Sequence, residues 1–185
     1  MTLKELMAKH TPNPDFEGYV TNDDFVLAVD CSADGKGNDP GEFAVVEMGI
    51  TGLDAQMNPI TQDKQYIRAG QSTTKTGTQR SFAVKGDRYI GDPFQDFAQS
   101  HTVKYGTGNT VIRNYVYFCI LNGKGEQGQV SIIVNSDGAG DSGESAEIDI
   151  ELRKAGSLPV EYSYAPPAEP AKAKSAGTAA PAADK

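Results

Sequence analysis

Apolar and polar residues alternate with a period of two along most of the chain, the spacing of half-buried β-strands rather than of helices. Ala146-Glu-Ile-Asp-Ile-Glu-Leu152 is the cleanest instance. Its four apolar residues fall on one face and Glu147, Asp149 and Glu151 on the other, which predicts a strand with one face in a core and an acidic face outward. Phe25–Val29 and Phe43–Ile50 are apolar runs separated by Ser32–Gly41, whose Gly, Asp and Asn are turn formers. Arg113–Leu121 and Gln129–Asn135 flank Asn122-Gly-Lys-Gly-Glu126, and Asn-Gly between two β-rich runs is a strong hairpin signal. Ser136–Gly143 reads as another turn, and Ser81–Val84 and Arg88–Ile90 read as shorter strands.

Two places break this rhythm toward helix. Thr2-x-x-Glu5 ahead of Leu6 and Met7 has the form of a capping box, closed by Thr11-Pro-Asn-Pro14. Asp92-Pro93 sets an N-cap and a first-turn proline before Phe94, Phe97 and Ala98 at i, i+3 and i+4, a short helix with one face for a sheet. The predicted fold is all-β, a two-sheet β-sandwich or barrel of about seven strands with one short flanking helix. Thr51–Arg80 stands apart. Gln71–Gln79 contains no apolar side chain, so this long segment reads as an extended arm or weakly held hairpin. The expected organisation is an N-terminal segment 1–19, a β domain 20–162 with the arm at 51–80, and a tail 163–185. In that tail 13 of 23 residues are Ala or Pro, too little apolar surface to offset its ordering entropy.

Charge narrows the function. The 185-residue chain carries −8. Lys172, Lys174 and Lys185 against Glu169 and Asp184 give the tail +1, leaving −9 on the rest. Such a surface repels phosphate, which argues against a sequence-specific nucleic-acid binder. Cys31 and Cys119 are the only cysteines, too few for a disulfide scaffold or a thiolate zinc cluster; buried free thiols are expected. The N-terminus lacks the apolar core of a signal peptide, and the longest apolar run, Tyr115–Leu121, is too short to span a bilayer. A soluble product made in a cytosol, with no membrane contact, is expected.

Candidate chemistry is sparse. Gly123-x-Gly125-x-x-Gly128 matches a dinucleotide fingerprint in letters, but strands flank it on both sides and no helix follows to receive a pyrophosphate. Asn135-x-Asp137-x-x-Gly140-Asp141 begins like a calcium loop, yet Ala139 and Ala146 stand where ligands are needed. Glu147, Asp149 and Glu151 would sit about 7 Å apart along one strand face, a solvated row rather than a catalytic pair. His10 and His101 have no ligand spacing, and no nucleophile elbow is present. No catalytic residue, metal ligand or cofactor is assigned.

The order of parts resembles the tail tube (major tail) proteins of long-tailed bacteriophages of the siphophage type. The likeness runs from about residue 20 to 162, through Phe25–Val29, Phe43–Ile50, the polar arm Thr51–Arg80, the helix Asp92–Ala98, the hairpin Arg113–Leu121/Gln129–Asn135 and the closing strand Ala146–Leu152. The resemblance implies a structural virion protein, not an enzyme, made in the host cytoplasm. Homohexamer rings would stack into a tube around a tape-measure protein, meet tail-completion proteins, and pass DNA without specific binding. It implies that the arm, with Gln71, Ser72, Thr73, Thr74, Lys75 and Thr76, contacts the neighbouring ring; Glu147, Asp149 and Glu151 are the candidate lumen face, expected to face a channel or an open surface. The competing reading is a monomeric β-sandwich module binding carbohydrate. The absence of Trp, and the placement of many of the 15 Tyr and Phe within strand or helix patterns, weigh against it.

Overall fold

The alternating run predicted from Ala146 becomes an interior strand of the sheet. The structure, a computed structural model, describes residues 1–165. Its strands are β1 (Phe25–Val29), β2 (Ala44–Val45), β3 (Ile50–Gln56), β4 (Pro59–Tyr66), β5 (Gly70–Thr78), β6 (Ser81–Asp87), β7 (Ile112–Cys119), β8 (Lys124–Ala139) and β9 (Glu147–Ser163). Seven form one antiparallel sheet in the order β2-β1-β7-β8-β9-β6-β3, and β4-β5 pair separately. Three short helices are α1 (Leu3–Met7), α2 (Pro93–Ala98) and α3 (His101–Lys104). Both predicted caps are present: Thr2 and Glu5 make a reciprocal box on α1, and Asp92 accepts from the Gln95 amide on α2. Among the described residues no helix is long and apolar enough to cross a membrane.

The sheet is rolled. Strands β6 and β7 are three steps apart, about 14 Å in a flat sheet. Yet the Phe82 ring on β6 lies 5.2 Å from Tyr115 and 5.1 Å from Tyr117 on β7. Curling closes the sheet around a core of Leu27, Phe82, Tyr115, Ile132 and Ile150, with Phe94 and Ala98 of α2. On the opposite face of β1 and β7, Leu3 and Met7 of α1 join Phe43 and Val45 to cover Val26, Ala28, Val116 and Phe118. Burial on both faces is why Phe25–Val29 and Tyr115–Cys119 read as unbroken apolar runs.

Several local expectations change. Phe43–Ile50 is not one strand: the chain turns at Gly49 (φ 73°) between β2 and β3. A Cβ there would strike the Asp87 carbonyl, so glycine is required. Arg88–Ile90 leaves the ladder; the Gln95 side chain takes the Tyr89 amide and the Arg88 guanidinium bonds Asp96. Ser136–Ala139 continues β8 through two register shifts instead of turning, and Asp137 pairs with Lys104. β8 also starts early, at Lys124, and glycine at 125 lets it close on β7, where a Cβ would overlap the β7 backbone. β9 runs to Ser163, and the Tyr164 amide bonds the Gly123 carbonyl at 2.8 Å. The rest of the Ala/Pro-rich tail lies outside the described residues.

Cys31 is half-buried, Cys119 buried, and both are free thiols. Burial, with Asp30 and Asp92 nearby, pushes the Cys31 thiol from 9.0 up to about 12. The sign follows from proton release: between those values the unfolded chain loses the proton and the folded chain keeps it. The Cys31 contribution to stability should therefore be constant below pH 9 and fall as pH rises toward 12, and Cys31→Ser should reduce that slope. Urea midpoints at pH 8, 9.5 and 11 would test this; equal slopes in both proteins would refute it.

Candidate assembly surfaces

The arm begins where β3 ends. Thr51–Gln56, read from sequence as arm, pair instead with β6 in the body, so the free part is Pro59–Thr78. Its root is closed by the Gln79 amide on the Asn58 carbonyl at 3.1 Å and the Asn58 side chain on Ser81 Oγ at 2.8 Å. Strands β4 and β5 then pair from Pro59↔Thr78 to Tyr66↔Gly70, a ribbon roughly 25 Å long at the usual rise per residue. All of β4 is exposed, as is β5 through Thr76.

The predicted assembly residues form one strand. Gln71, Ser72, Thr73, Thr74 and Lys75 face Gln65, Lys64, Asp63, Gln62 and Thr61 across the hairpin. Thr76 occupies a bulge, its hydroxyl donating to the Ile60 carbonyl at 3.2 Å. Among the described residues, neither hydrophobic core includes any arm residue. Sequence reading centred on β5 missed the apolar side chains of β4 and the tip, where Tyr66 is 51% and Ile67 93% exposed.

Just past the arm, Arg80 is buried. Its Nε lies 2.6 Å from Glu126 Oε1, and its guanidinium stands 4.4 Å from the Phe82 ring centre and 5.1 Å from that of Tyr117. The Tyr115 hydroxyl donates to the same Glu126 oxygen at 3.1 Å. Burial, then the neighbouring carboxylate, raises the Tyr115 phenol above its ordinary value. Three strands thus grip the residue that roots the arm. Sequence placed Arg80 at the edge of a polar segment, and its only local signal is a cation directly before the Ser81–Val84 strand.

Glu147, Asp149 and Glu151 lie on one face of β9, with Ile148, Ile150 and Leu152 buried behind them. They are not equally free. Asp149 accepts from Asn135 Nδ2 at 3.2 Å and faces Lys85 Nζ at 4.0 Å. Glu151 pairs with Arg153 Nε at 2.8 Å. Glu147 sits opposite Asp87, so uncompensated charge gathers at that end. Among the described residues no three His, Cys, Asp or Glu side chains gather as metal ligands.

The sequence matches no protein-family profile and no curated protein. Solved structures do match. A chain from the tail of an empty gene transfer agent (GTA) particle, determined by helical refinement with C6 symmetry, aligns at TM-score 0.56 and 18% identity. The match covers 80% of this chain and 100% of that one. The fold is that of a GTA tail protein. The native GTA virion also contains a match, at TM-score 0.49, 17% identity and coverage of 80% and 100%. The sheath–tube complex of an extracellular contractile injection system gives TM-score 0.42, 10% identity and coverage of 86% and 97%. In the GTA tail-protein fold as this chain builds it, the all-β body supplies a rolled scaffold, and the hairpin is the element that the scaffold leaves uncovered.

Proposed function

We propose that this chain is a structural tail-tube subunit: six copies close a ring, rings stack, and the tube conducts DNA during delivery from a virion. The observation that carries the reading is the 20-residue hairpin Pro59–Thr78, exposed from Pro59 through Thr76 with Tyr66 and Ile67 at its end. Hydrogen bonds of such a ribbon compete evenly with water unless a partner excludes the water, and a neighbouring ring is that partner. The C6 symmetry of the GTA tail, whose chain has the same fold, supports the ring of six. A tape-measure protein inside the tube and completion proteins at its ends belong to the same reading. Negative-stain microscopy of the purified protein at high concentration should show rings or hollow tubes. Monomers at every concentration would overturn the proposal.

In this reading Glu147, Asp149 and Glu151 face the channel and keep a passing duplex from adhering. Replacing all three by Lys changes the chain charge from −8 to −2. The fold should survive, with a melting shift of only a few degrees, because the side chains point out of the core. Assembled tubes should retain DNA at about 50 mM salt and release it as salt rises, while the parent tubes retain none. Failure of the variant to fold would make the row structural; folded tubes that ignore DNA would remove it from the lumen.

A further inference from the structure

The arm is cationic on an anionic protein. Lys64, Arg68 and Lys75 against Asp63 give Pro59–Thr78 a charge of +2, which leaves −10 on the rest of a chain whose total is −8. Its tip combines that charge with apolar surface: Tyr66 and Ile67 are exposed, and Arg68 follows in a left-handed turn at φ 70°.

A complementary surface lies at the other end of β3. Beside α1, β1 and β2 a groove of about 470 Å³ is floored by Leu6, Phe25, Val45, Ile50, Leu53 and Ile120. Five of these six are only half-buried, so the floor is apolar surface still open to water. Asp23, Asp24 and Glu47 stand around it. Asp24 caps the Thr21 amide and Glu47 faces the terminal ammonium at 3.2 Å; Asp23 is exposed and has no ion-pair partner among the described residues.

We infer that the groove receives the arm tip of a second copy of this chain, with Ile67 and Tyr66 on the apolar floor and Arg68 toward Asp23. This rests on the reading of the chain as a self-assembling subunit and names the seat that reading left open. Charge chooses the occupant: an acidic rim favours the +2 arm over the anionic body from which it projects. A copy cannot satisfy its own groove in this conformation, because its Ile67 is 93% exposed. Each copy therefore offers one tip and one seat on different surfaces, a head-to-tail contact that propagates where a self-complementary patch would stop at a dimer.

Ile67→Cys and Leu53→Cys chains, mixed in full length at assembling concentration and oxidised, should form a disulfide between positions 67 and 53, located by peptide mass spectrometry. The yield should exceed by at least tenfold that of Ile67→Cys mixed with Leu158→Cys, an exposed position outside the groove. Ile67→Asp should raise the concentration needed for assembly more than tenfold without moving the melting temperature. Rings or tubes without the 67–53 link, or with position 67 linked elsewhere, would overturn the seat while leaving the tail-subunit reading intact. Unchanged assembly of Ile67→Asp would do the same. Monomers throughout would overturn both.

Discussion

Exchange of Pro59–Thr78 for a two-glycine turn is expected to leave a folded body that no longer assembles. The body should hold because the arm contributes to neither hydrophobic core, and because the Asn58–Gln79 and Asn58–Ser81 contacts already bring the cut ends together. Melting should shift by a few degrees at most, since shortening a closed loop changes its entropy slowly. Assembly should weaken by 100-fold or more in the concentration required. Burying one large apolar side chain contributes about 1.5–3 kcal/mol, the tip carries two, and about 1.4 kcal/mol is a factor of ten. In the intact chain, amide exchange over β4 and β5 should be fast in monomers and slow in assemblies, with β7 protected in both. Normal tubes from the shortened chain, or an arm already protected in the monomer, would take assembly away from it.

Arg80→Met is expected to cost about 3 kcal/mol of folding stability, the lower end for removing one partner of a buried ion pair. Two losses combine. Glu126 keeps only the Tyr115 hydroxyl, and Phe82 and Tyr117 lose a cation over their rings. At about 2–4 °C per kcal/mol for a protein of this size, melting should fall by roughly 6–12 °C. Arg80→Lys should fall between, because an ammonium keeps the charge but neither the planar stack nor the Nε geometry. Pairing Arg80→Met with Glu126→Leu should recover part of the loss, since the uncompensated carboxylate is then gone. A loss below about 1 kcal/mol in urea denaturation would mean that this network does not hold the arm root.

What could be read from the chain was local. Ala146–Leu152 alternates without error because each neighbour along β9 faces an opposite environment. Asp92-Pro93 and Thr2-x-x-Glu5 declared helix starts because a cap satisfies amides within three residues of itself. The polar stretch Gln71–Gln79 announced an uncovered segment, and the structure finds β5 exposed there through Thr76. Elsewhere neighbours in space overrode neighbours in sequence. Phe43–Ile50 has the composition of one strand, but Asp87 stands where a side chain at residue 49 would go, and the chain turns. Ser136–Ala139 has the composition of a turn, but β9 offers it a ladder partner.

The amino-acid sequence by itself determined the strand-rich class, the hairpin at Asn122-Gly123, the two helix caps, the acidic surface and a polar arm, all carried by periodicity, backbone preference and charge within a few residues. Only the tertiary structure decided that seven strands roll into a single sheet, that Arg80 is an internal clamp, that Lys85 and Arg153 partly neutralise the Glu147–Glu151 row, and that an apolar tip and an apolar seat lie on different surfaces of one molecule. The rolled sheet, the Arg80–Glu126 clamp and the Lys85–Asp149 pair depend on residues 33 to 64 positions apart meeting across the sheet, and no local pattern encodes which distant strand will arrive alongside.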